Sequence, residues 1–493
     1  MTVASLFLSV ALSTHAIAAD FGACTPRAEL SVAEEREMLS FAVCSKPSPH
    51  IRVCHNRTRG LVQVTSDDSV ERAMMLRVGG PHPQTALFRR SHTAANAWTA
   101  AFRVCREGNY SANVMLIALD PFTNFSDPDP PANTLKLGFA QRCTQYHNYT
   151  NVLAAPGRLL REPHVFHVAA LDRPPSLGRP SCELCLWSWN ESAPWHTSGG
   201  SHVLRDRERI EQMLDPSREQ LVGNMYDSGN FLSFQHTDAV PEAVQKWLQS
   251  RKRHEGHTGL DSSRLCLFGD SHMRNLANAL VKMVDTTCDE SFSRRNKSVC
   301  PESKGILTFY PTQSSAILHQ RWQRFKRGRH SNCSAVLLGF GQWALSFEYR
   351  TIGPRSLVQY SREMERAMDW LQAVQSSAGV PVAWFSAYAA ALTYGNSLWR
   401  PTAGSKMTMK KSLSCPPKEW RLPHLIERYN EAARARATQS NVTYIDAWEL
   451  TFDVHDITCD GLHFGLEPVG SRIAELVIHW VHHARARRVV KVA

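Results

Sequence analysis

Two rhythms of apolar positions divide the chain. Between about residues 35 and 120 apolar side chains fall on alternate residues. In "NAWTAAFRVCREGNYSANVMLIAL", Trp98, Ala100, Phe102 and Val104 share one face, and Tyr110, Ala112, Val114 and Leu116 share another. A period of two is that of half-buried strands, and Gly108 and Asn109 between them tolerate positive φ at a turn. With the strand-like "VQVTS" and "AMMLRV", this pattern predicts a small antiparallel β-sandwich over residues 35–120.

From residue 259 to 485 strands alternate with helices. "RLCLFG" reads as a buried strand, and after it Met273, Leu276, Ala277, Leu280, Val281 and Val284 form a stripe of helical period. "GILTFYP", "SAVLLGF", "VPVAWFSA" and "VTYIDAW" are further strands. Between them lie a helix from about Ser356 to Gln375, the helix "LPHLIERYNEAARARAT" and a final helix carrying Val469, Ile473, Leu476, Val477 and Trp480. This order predicts an α/β domain of three layers, α/β/α, on a parallel sheet. The sandwich ahead of it fits an immunoglobulin or filamin type. It holds no catalytic constellation, so a binding or spacer role is expected of it. The intervening residues 121–258 are rich in Pro, Asp and aromatic side chains and read as an irregular connection and an extension of the second domain. Trp187, Trp189 and Trp195 are candidates there for stacking on sugars or for packing the loops.

Composition supports a folded chain of two domains: 493 residues, 43% of them hydrophobic and 20% charged. The apolar run from Val3 to Leu12, followed by Ala16 and Ala18 in an A-x-A arrangement, reads as a secretory signal over residues 1–18. The run is shorter than the roughly 18 to 20 apolar residues of a membrane span, and no later segment reaches that length. Sequons at Asn56, Asn109, Asn124, Asn148, Asn190, Asn296, Asn332 and Asn441 fit the same secretory route. Thirteen cysteines suggest disulfides, with one left over. Cys266, between Leu265 and Leu267 in a core strand, is the expected free thiol. Cys288 with Cys300 and Cys415 with Cys459 are candidate pairs, and Cys182 and Cys185 are expected to be structural. The net charge of +11 and the clusters "RKRHEGH" and "RWQRFKRGRH" would suit nucleic acid in another compartment. In the secretory route they suit acidic glycans, a membrane surface or a plain solvated face.

The candidate chemistry sits in "FGDSHMRN". A serine at a strand-to-helix junction lies at the carboxyl edge of a parallel sheet, where the helix start offers unpaired N–H groups to a developing oxyanion. Gly269 permits the turn, Asp270 can brace it and Ser271 is the candidate nucleophile; the plainer reading is that Asp-Ser is an N-cap. Arg274, one turn on, can face the same pocket or pair on the helix surface. A base is needed. "HDITCDGLHFGLEP" offers Asp460 and His463 in D-x-x-H spacing, so that the carboxylate can hold one ring nitrogen while the other takes the serine proton. Asp446, His455 and Asp456 compete for these roles, and His455, Asp456, Asp460 and His463 also allow a metal reading; no metal is expected.

These motifs resemble the SGNH/GDSL superfamily, and "GDSHMRN" resembles the G-D-S-x-x-R-[NQ] form of its PC-esterase group, which includes trichome-birefringence-like glycan O-acetyltransferases and neurexophilin and PC-esterase domain proteins. The likeness covers about residues 260 to 483. It implies a Ser271, Asp460 and His463 triad, an oxyanion hole drawn from Ser271, Gly341, Gln342 and Gly305, and substrate contacts from Arg274 and Trp343. Gly341 stands where the wider superfamily has an asparagine donor, and Gln342 is the substitute. The implied function is glycan O-acyl transfer, acetyl above all, in the Golgi lumen or outside the cell. No cofactor is bound; acetyl-CoA or an acetylated glycan is the donor, and a polysaccharide or glycoprotein glycan is the partner rather than nucleic acid. A carbohydrate acetylesterase uses the same triad. A secreted binding protein with an inactive esterase-like domain is the alternative of another class.

Overall fold

The computed structural model describes residues 30–41, 43–56, 59–80, 84–104, 107–119, 152–158, 164–168, 187–190, 231–234, 264–284, 307–312, 314, 315, 318, 333–345, 357–389 and 423–453, and, near the C-terminal end, 469, 470, 473–478, 480, 481 and 484. Alternation in the first of these stretches builds two antiparallel sheets. One contains β1 (Val43–Ser48), β2 (Ile51–Asn56), β3 (Arg59–Thr65), β6 (Arg89–Arg90) and β7 (Ala97–Arg103), in the order β1-β2-β3-β7-β6. The other contains β4 (Arg72–Gly79), β5 (Gln84–Leu87), β8 (Gly108–Leu119) and β10 (His164–Val168), in the order β10-β8-β4-β5, with β9 (Val152–Arg158) also pairing with β8. Val53, Val62, Trp98 and Phe102 of the first sheet meet Met74, Leu76, Tyr110, Val114 and Phe166 of the second in one buried cluster. Trp98, Ala100, Phe102, Val104, Tyr110, Ala112 and Val114 are all buried in it, as their alternation predicts.

β7 and β8 do not form a hairpin. They lie in different sheets, and Gly108, with φ of 134°, opens β8 where the chain crosses between them. The second difference concerns residues 121–258. Instead of only extending the second domain, this stretch returns two strands to the antiparallel unit: β10 pairs with β8 from His164 opposite Ala112 to Val168 opposite Gly108. Phe166 and Val168 are buried in "HVFHV" while Val165 and His167 face out, a five-residue alternation concealed by the Pro-rich composition around it. β11 (Trp187–Asn190) and β12 (Phe231–Phe234) pair with each other in a separate two-stranded sheet.

The α/β unit follows the predicted order. Its five parallel strands are β13 (Arg264–Gly269), β14 (Leu307–Pro311), β15 (Cys333–Gly339), β16 (Val382–Phe385) and β17 (Thr443–Ile445), arranged β14-β13-β15-β16-β17. Side chains of alternate parity enter two cores, as in sheets covered on both faces. Leu265, Leu267, Ala335 and Leu337 pack against the helix Ser271–Val284 and the helical residues 473–478, 480 and 481. Phe268, Val336, Leu338 and Trp384 pack against the helices Leu357–Ala378 and Pro423–Gln439. In order of the chain, with Val32–Leu39 as α1, these three long helices are α2, α3 and α4, and Ala447–Phe452 is α5. The strand expected over "VTYIDAW" ends at Ile445 because the Asp446 carboxylate accepts the N–H of Glu449 and starts α5.

Cys266 is not a free thiol. It is joined to Cys333 on the neighbouring strand, with 5.8 Å between their Cα atoms. Burial between two leucines gave it the signature of a small hydrophobe, and a partner 67 residues away in sequence is brought close only by the parallel pairing. Cys44 and Cys54, opposite one another on β1 and β2, form a second disulfide. Cys182, Cys185, Cys288, Cys300, Cys415 and Cys459 lie outside the described residues. No described helix is long and apolar enough to cross a membrane.

The two units share a core. On β4, Met74, Leu76 and Val78 face into the sandwich, while Ala73 and Met75 join Leu87, Met115 and Ile117 in the same buried cluster as Tyr429, Trp448 and Phe452. An Arg89 ion pair with Glu427 spans the seam, where burial raises the pKa of Glu427 and Arg89 opposes that rise. Replacing Met75, which has no exposed surface, by alanine should therefore cost about 2 to 5 kcal/mol. Calorimetry should show the loss in one transition that carries both units. Two resolved transitions, with only the earlier one moved, would contradict a shared core.

Candidate active site

A parallel sheet in the spatial order second, first, third, fourth, fifth has its topological switch at the first strand, from which the next strands in sequence lie on opposite sides. Ligands of such sheets bind outside the carboxyl ends of the strands at that point. Here the switch lies between β13 and β15, and the residues leaving them are Gly269, Asp270 and Ser271 on one side and Phe340, Gly341, Gln342 and Trp343 on the other. The structure thus brings Ser271, Arg274, Gly341, Gln342 and Trp343 to one edge of one sheet.

The turn from β13 into α2 depends on a missing side chain at Gly269, where a Cβ would come within 2.7 Å of Met273 Cβ and closer still to Met273 Cγ and the Gly339 carbonyl. Asp270, 5% exposed, is the N-cap: its Oδ1 accepts the N–H of His272 at 2.9 Å and its carbonyl accepts the N–H of Arg274 at 3.0 Å. The capping role therefore belongs to Asp270. Ser271, partly exposed, is the first residue of the helix, ahead of the point where the helix supplies its own acceptors for its N–H groups. The Asp270 carboxylate also occupies the space beside Gly341, where φ is 55° and a Cβ would stand 2.6 Å from Asp270 Cγ. One carboxylate thus braces the loops after the first and third strands.

His272 faces inward. It is 2% exposed, its ring stacks on Tyr388 with centroids 4.5 Å apart, and its Nδ1 accepts the Tyr388 N–H at a long 3.5 Å. Burial, with the negative charge of Asp270 added, raises the pKa of Tyr388 far above that of an ordinary phenol, so Tyr388 stays a neutral phenol. Gln342, 2% exposed, donates from Nε2 to the Tyr388 carbonyl at 2.6 Å, so one amide hydrogen of this candidate oxyanion donor brackets the third and fourth loops. Neither Asp270's second role nor the His272–Tyr388 stack was visible in sequence. The small, charged and small residues of "GDS" were the only signal of the first.

Asp446, a competitor for the acidic role, is engaged as the cap of α5 and in an ion pair with Arg434. Ser386 Oγ accepts the N–H groups of Ala447 and Trp448, at 2.8 and 3.0 Å, and secures the same helix. Within the α/β unit the described histidines are His272 and His424. Burial, and then the charges of Arg89 and Arg428, lower the pKa of His424 to about 3, well below the range that suits a general base near neutral pH. Gly305, His455, Asp456, Asp460 and His463 lie outside the described residues. Among the described residues no group of three or more His, Cys, Asp or Glu could hold a metal ion.

No protein-family model matches the chain, and no curated protein does. Solved structures similar to it include one described as a GDSL-like lipase from Parabacteroides merdae, with 11% identity over 46% of this chain and 98% of that one and a TM-score of 0.28. The acetyl xylan esterase AlAXEase shares 13% identity over 46% and 99% of the two chains, with a TM-score of 0.26. A variant of Axe2, an acetyl-xylooligosaccharide esterase from Geobacillus, shares 10% identity over 45% and 92%, with a TM-score of 0.25. At TM-scores this low the likenesses carry no weight for this chain, and the strand order and the geometry of the edge stand by themselves.

Substituting Gly341 by alanine should force the Asp270 carboxylate to move and strain a backbone at positive φ. The expected result is a cost of about 1 to 3 kcal/mol in denaturant unfolding. A variant as stable as the parent would show that the carboxylate does not brace this loop.

Proposed function

We propose that the chain is a glycan O-acyltransferase of the SGNH type, acting through an acyl-Ser271 intermediate, with acetyl as the acyl group. The observation that carries the reading is the place of Ser271: first residue of a helix, at the switch point of a parallel sheet, with the N-cap role taken by its neighbour Asp270. In this reading the α/β/α unit is an SGNH domain of the PC-esterase group and the paired antiparallel sheets are an immunoglobulin- or filamin-like sandwich.

The chemistry proceeds in two displacements. Ser271 Oγ attacks the acyl carbonyl while His463, oriented by Asp460, takes its proton. The oxyanion that forms is met by the backbone N–H of Ser271 and by donors from Gly341, Gln342 or Gly305. Collapse breaks the bond to the leaving group, which recovers the proton from His463 and leaves an ester on Ser271. An incoming sugar hydroxyl then gives its proton to His463 and attacks the ester carbonyl, and as the acyl–Oγ bond breaks His463 returns that proton to Ser271 Oγ. Water in place of the sugar makes the same site an esterase. Arg274, one turn along the helix from Ser271, and Trp343 on the facing loop are the proposed substrate contacts. The donor is acetyl-CoA or an acetylated glycan. Two disulfides and the exposed sequon residues Asn56, Asn109 and Asn441 support a secretory or extracellular setting.

Ser271→Ala should lower turnover of an activated acetyl ester by about a thousandfold or more. Its melting point should stay close to the parent's, because Asp270 keeps the cap. Mass spectrometry of the products, with and without an acceptor glycan, separates transfer from hydrolysis. Parental turnover in the Ser271→Ala protein would end the nucleophile assignment.

A further inference from the structure

We infer that Ser45, His55 and His164 form a pH-sensitive latch between the edges of the two antiparallel sheets: it holds β10 in place near neutral pH, and acidification releases that strand. The inference does not depend on the chemistry of Ser271.

β1 and β10 are the edge strands of the two sheets. Ser45 on β1 bridges them, its Oγ hydrogen-bonded to His164 Nε2 on β10 at 3.0 Å. Residues opposite one another on paired strands face the same side. Ser45 lies opposite Val53, and His164 and Phe166 lie opposite Ala112 and Tyr110; Val53, Ala112, Tyr110 and Phe166 all belong to the buried cluster of the sandwich. His55 shares the face of Val53, two residues along β2. The two imidazoles, both half-buried, therefore face the same interior from different sheets. They lie beside one ring, that of Phe166, whose centroid is 5.0 Å from His55 and 6.3 Å from His164. Phe166 is 6% exposed and also meets Phe102 and Tyr110, at 5.4 and 5.6 Å. It is the side chain that seats β10 in the core, and two imidazoles close the edge around it where apolar side chains would be indifferent to pH.

A neutral imidazole packs on a phenyl ring as a flat aromatic group, whereas an imidazolium withdrawn from water is costly. Burial lowers the pKa of both histidines, and for His55 the neighbouring His164 lowers it further. Among the described residues, those sharing this face on the packed strands are Val43 and Ser45 on β1, Val62 on β3, Phe102 on β7, and Tyr110 and Ala112 on β8. None carries a carboxylate to hold two cations, and the Tyr110 phenol is the other titratable group among them. The face of Phe166 can accept one cation, but two beside the same ring repel. His167 alternates outward, with its Nδ1 3.0 Å from Asn109 Oδ1 in an exposed contact, and takes no part.

In the closed sandwich both groups titrate below the ordinary histidine value of about 6.5, and they return to it when β10 lifts away. The released state then binds more protons. Stability of the closed state is therefore full above about pH 6.5 and is lost as pH falls through the lowered values.

The test is hydrogen exchange of the full-length protein, read at the β10 amides and corrected for the intrinsic effect of pH. From about pH 7.5 to about pH 5 their opening should increase about tenfold or more, while the amides of β4, inside the same sheet, keep their protection. His55→Gln combined with His164→Gln should remove most of this dependence, and His167→Gln should leave it intact. Should the double variant not fold, an NMR titration of the ring signals in the parent decides, with midpoints for His55 and His164 expected below about 6.5. Equal protection of β10 at the two pH values, an equal loss in β4, an undiminished acid response in the folded double variant, or ring midpoints at or above the ordinary value would overturn the inference.

Discussion

The carboxylate of Asp270 is the constraint on which the candidate site depends. It is buried at the carboxyl edge of the sheet, and its charge is tolerated because it caps α2. The same group fills the place of a side chain at Gly341, so the loops leaving the first and third strands pack against each other there. Tyr388 and Gln342 extend the arrangement to the fourth strand, through the stack on His272 and the amide bond to the Tyr388 carbonyl. Asn430 closes it from the helix behind, with Oδ1 accepting from Ala387 N at 3.0 Å and Nδ2 donating to the Ala387 carbonyl at 3.1 Å. Ser271 is thus presented by a rigid edge, the condition that electrostatic stabilisation of a transition state requires.

The second constraint is that β4 is buried on both faces, as is β8 from Val114 to Ile117 apart from a part-buried Leu116. A sandwich that served only as a tethered spacer would keep one face of each sheet in water. Here Met75, Met115 and Ile117 enter the core of the α/β unit, and Arg77, Thr85 and Arg89 make polar bonds across the seam. The two rhythms in the chain mark two architectures that share a core.

Most of the regular structure was legible because its periods are long or its runs continuous. The stripes on α2 and α3 and the buried strand "RLCLFG" needed no tertiary information. Even the seam left a trace: "AMML" is a continuous apolar run in a strand whose neighbours alternate, as expected of a strand covered on both sides. What could not be read depends on contacts distant in sequence. The bond of Cys266 to Cys333 requires the parallel register, β10 is too short to stand out from its surroundings, and α5 is set by Asp446, Ser386 and Arg434 acting together. At the site, the spacing of Gly269, Asp270 and Ser271 indicated a strand-to-helix turn. That Asp270 would be the cap, leaving Ser271 outside that role, follows only from the geometry.

The central claim is that Ser271 is a nucleophile activated from elsewhere in the chain. The most direct measurement is to treat the intact protein with a fluorophosphonate, which reacts with activated serines, and to map the adduct by peptide mass spectrometry. The account predicts one adduct, on Ser271, whose formation is slowed strongly by His463→Ala and prevented by unfolding the protein first. No adduct on Ser271, or labelling that proceeds equally in denatured protein, would contradict it.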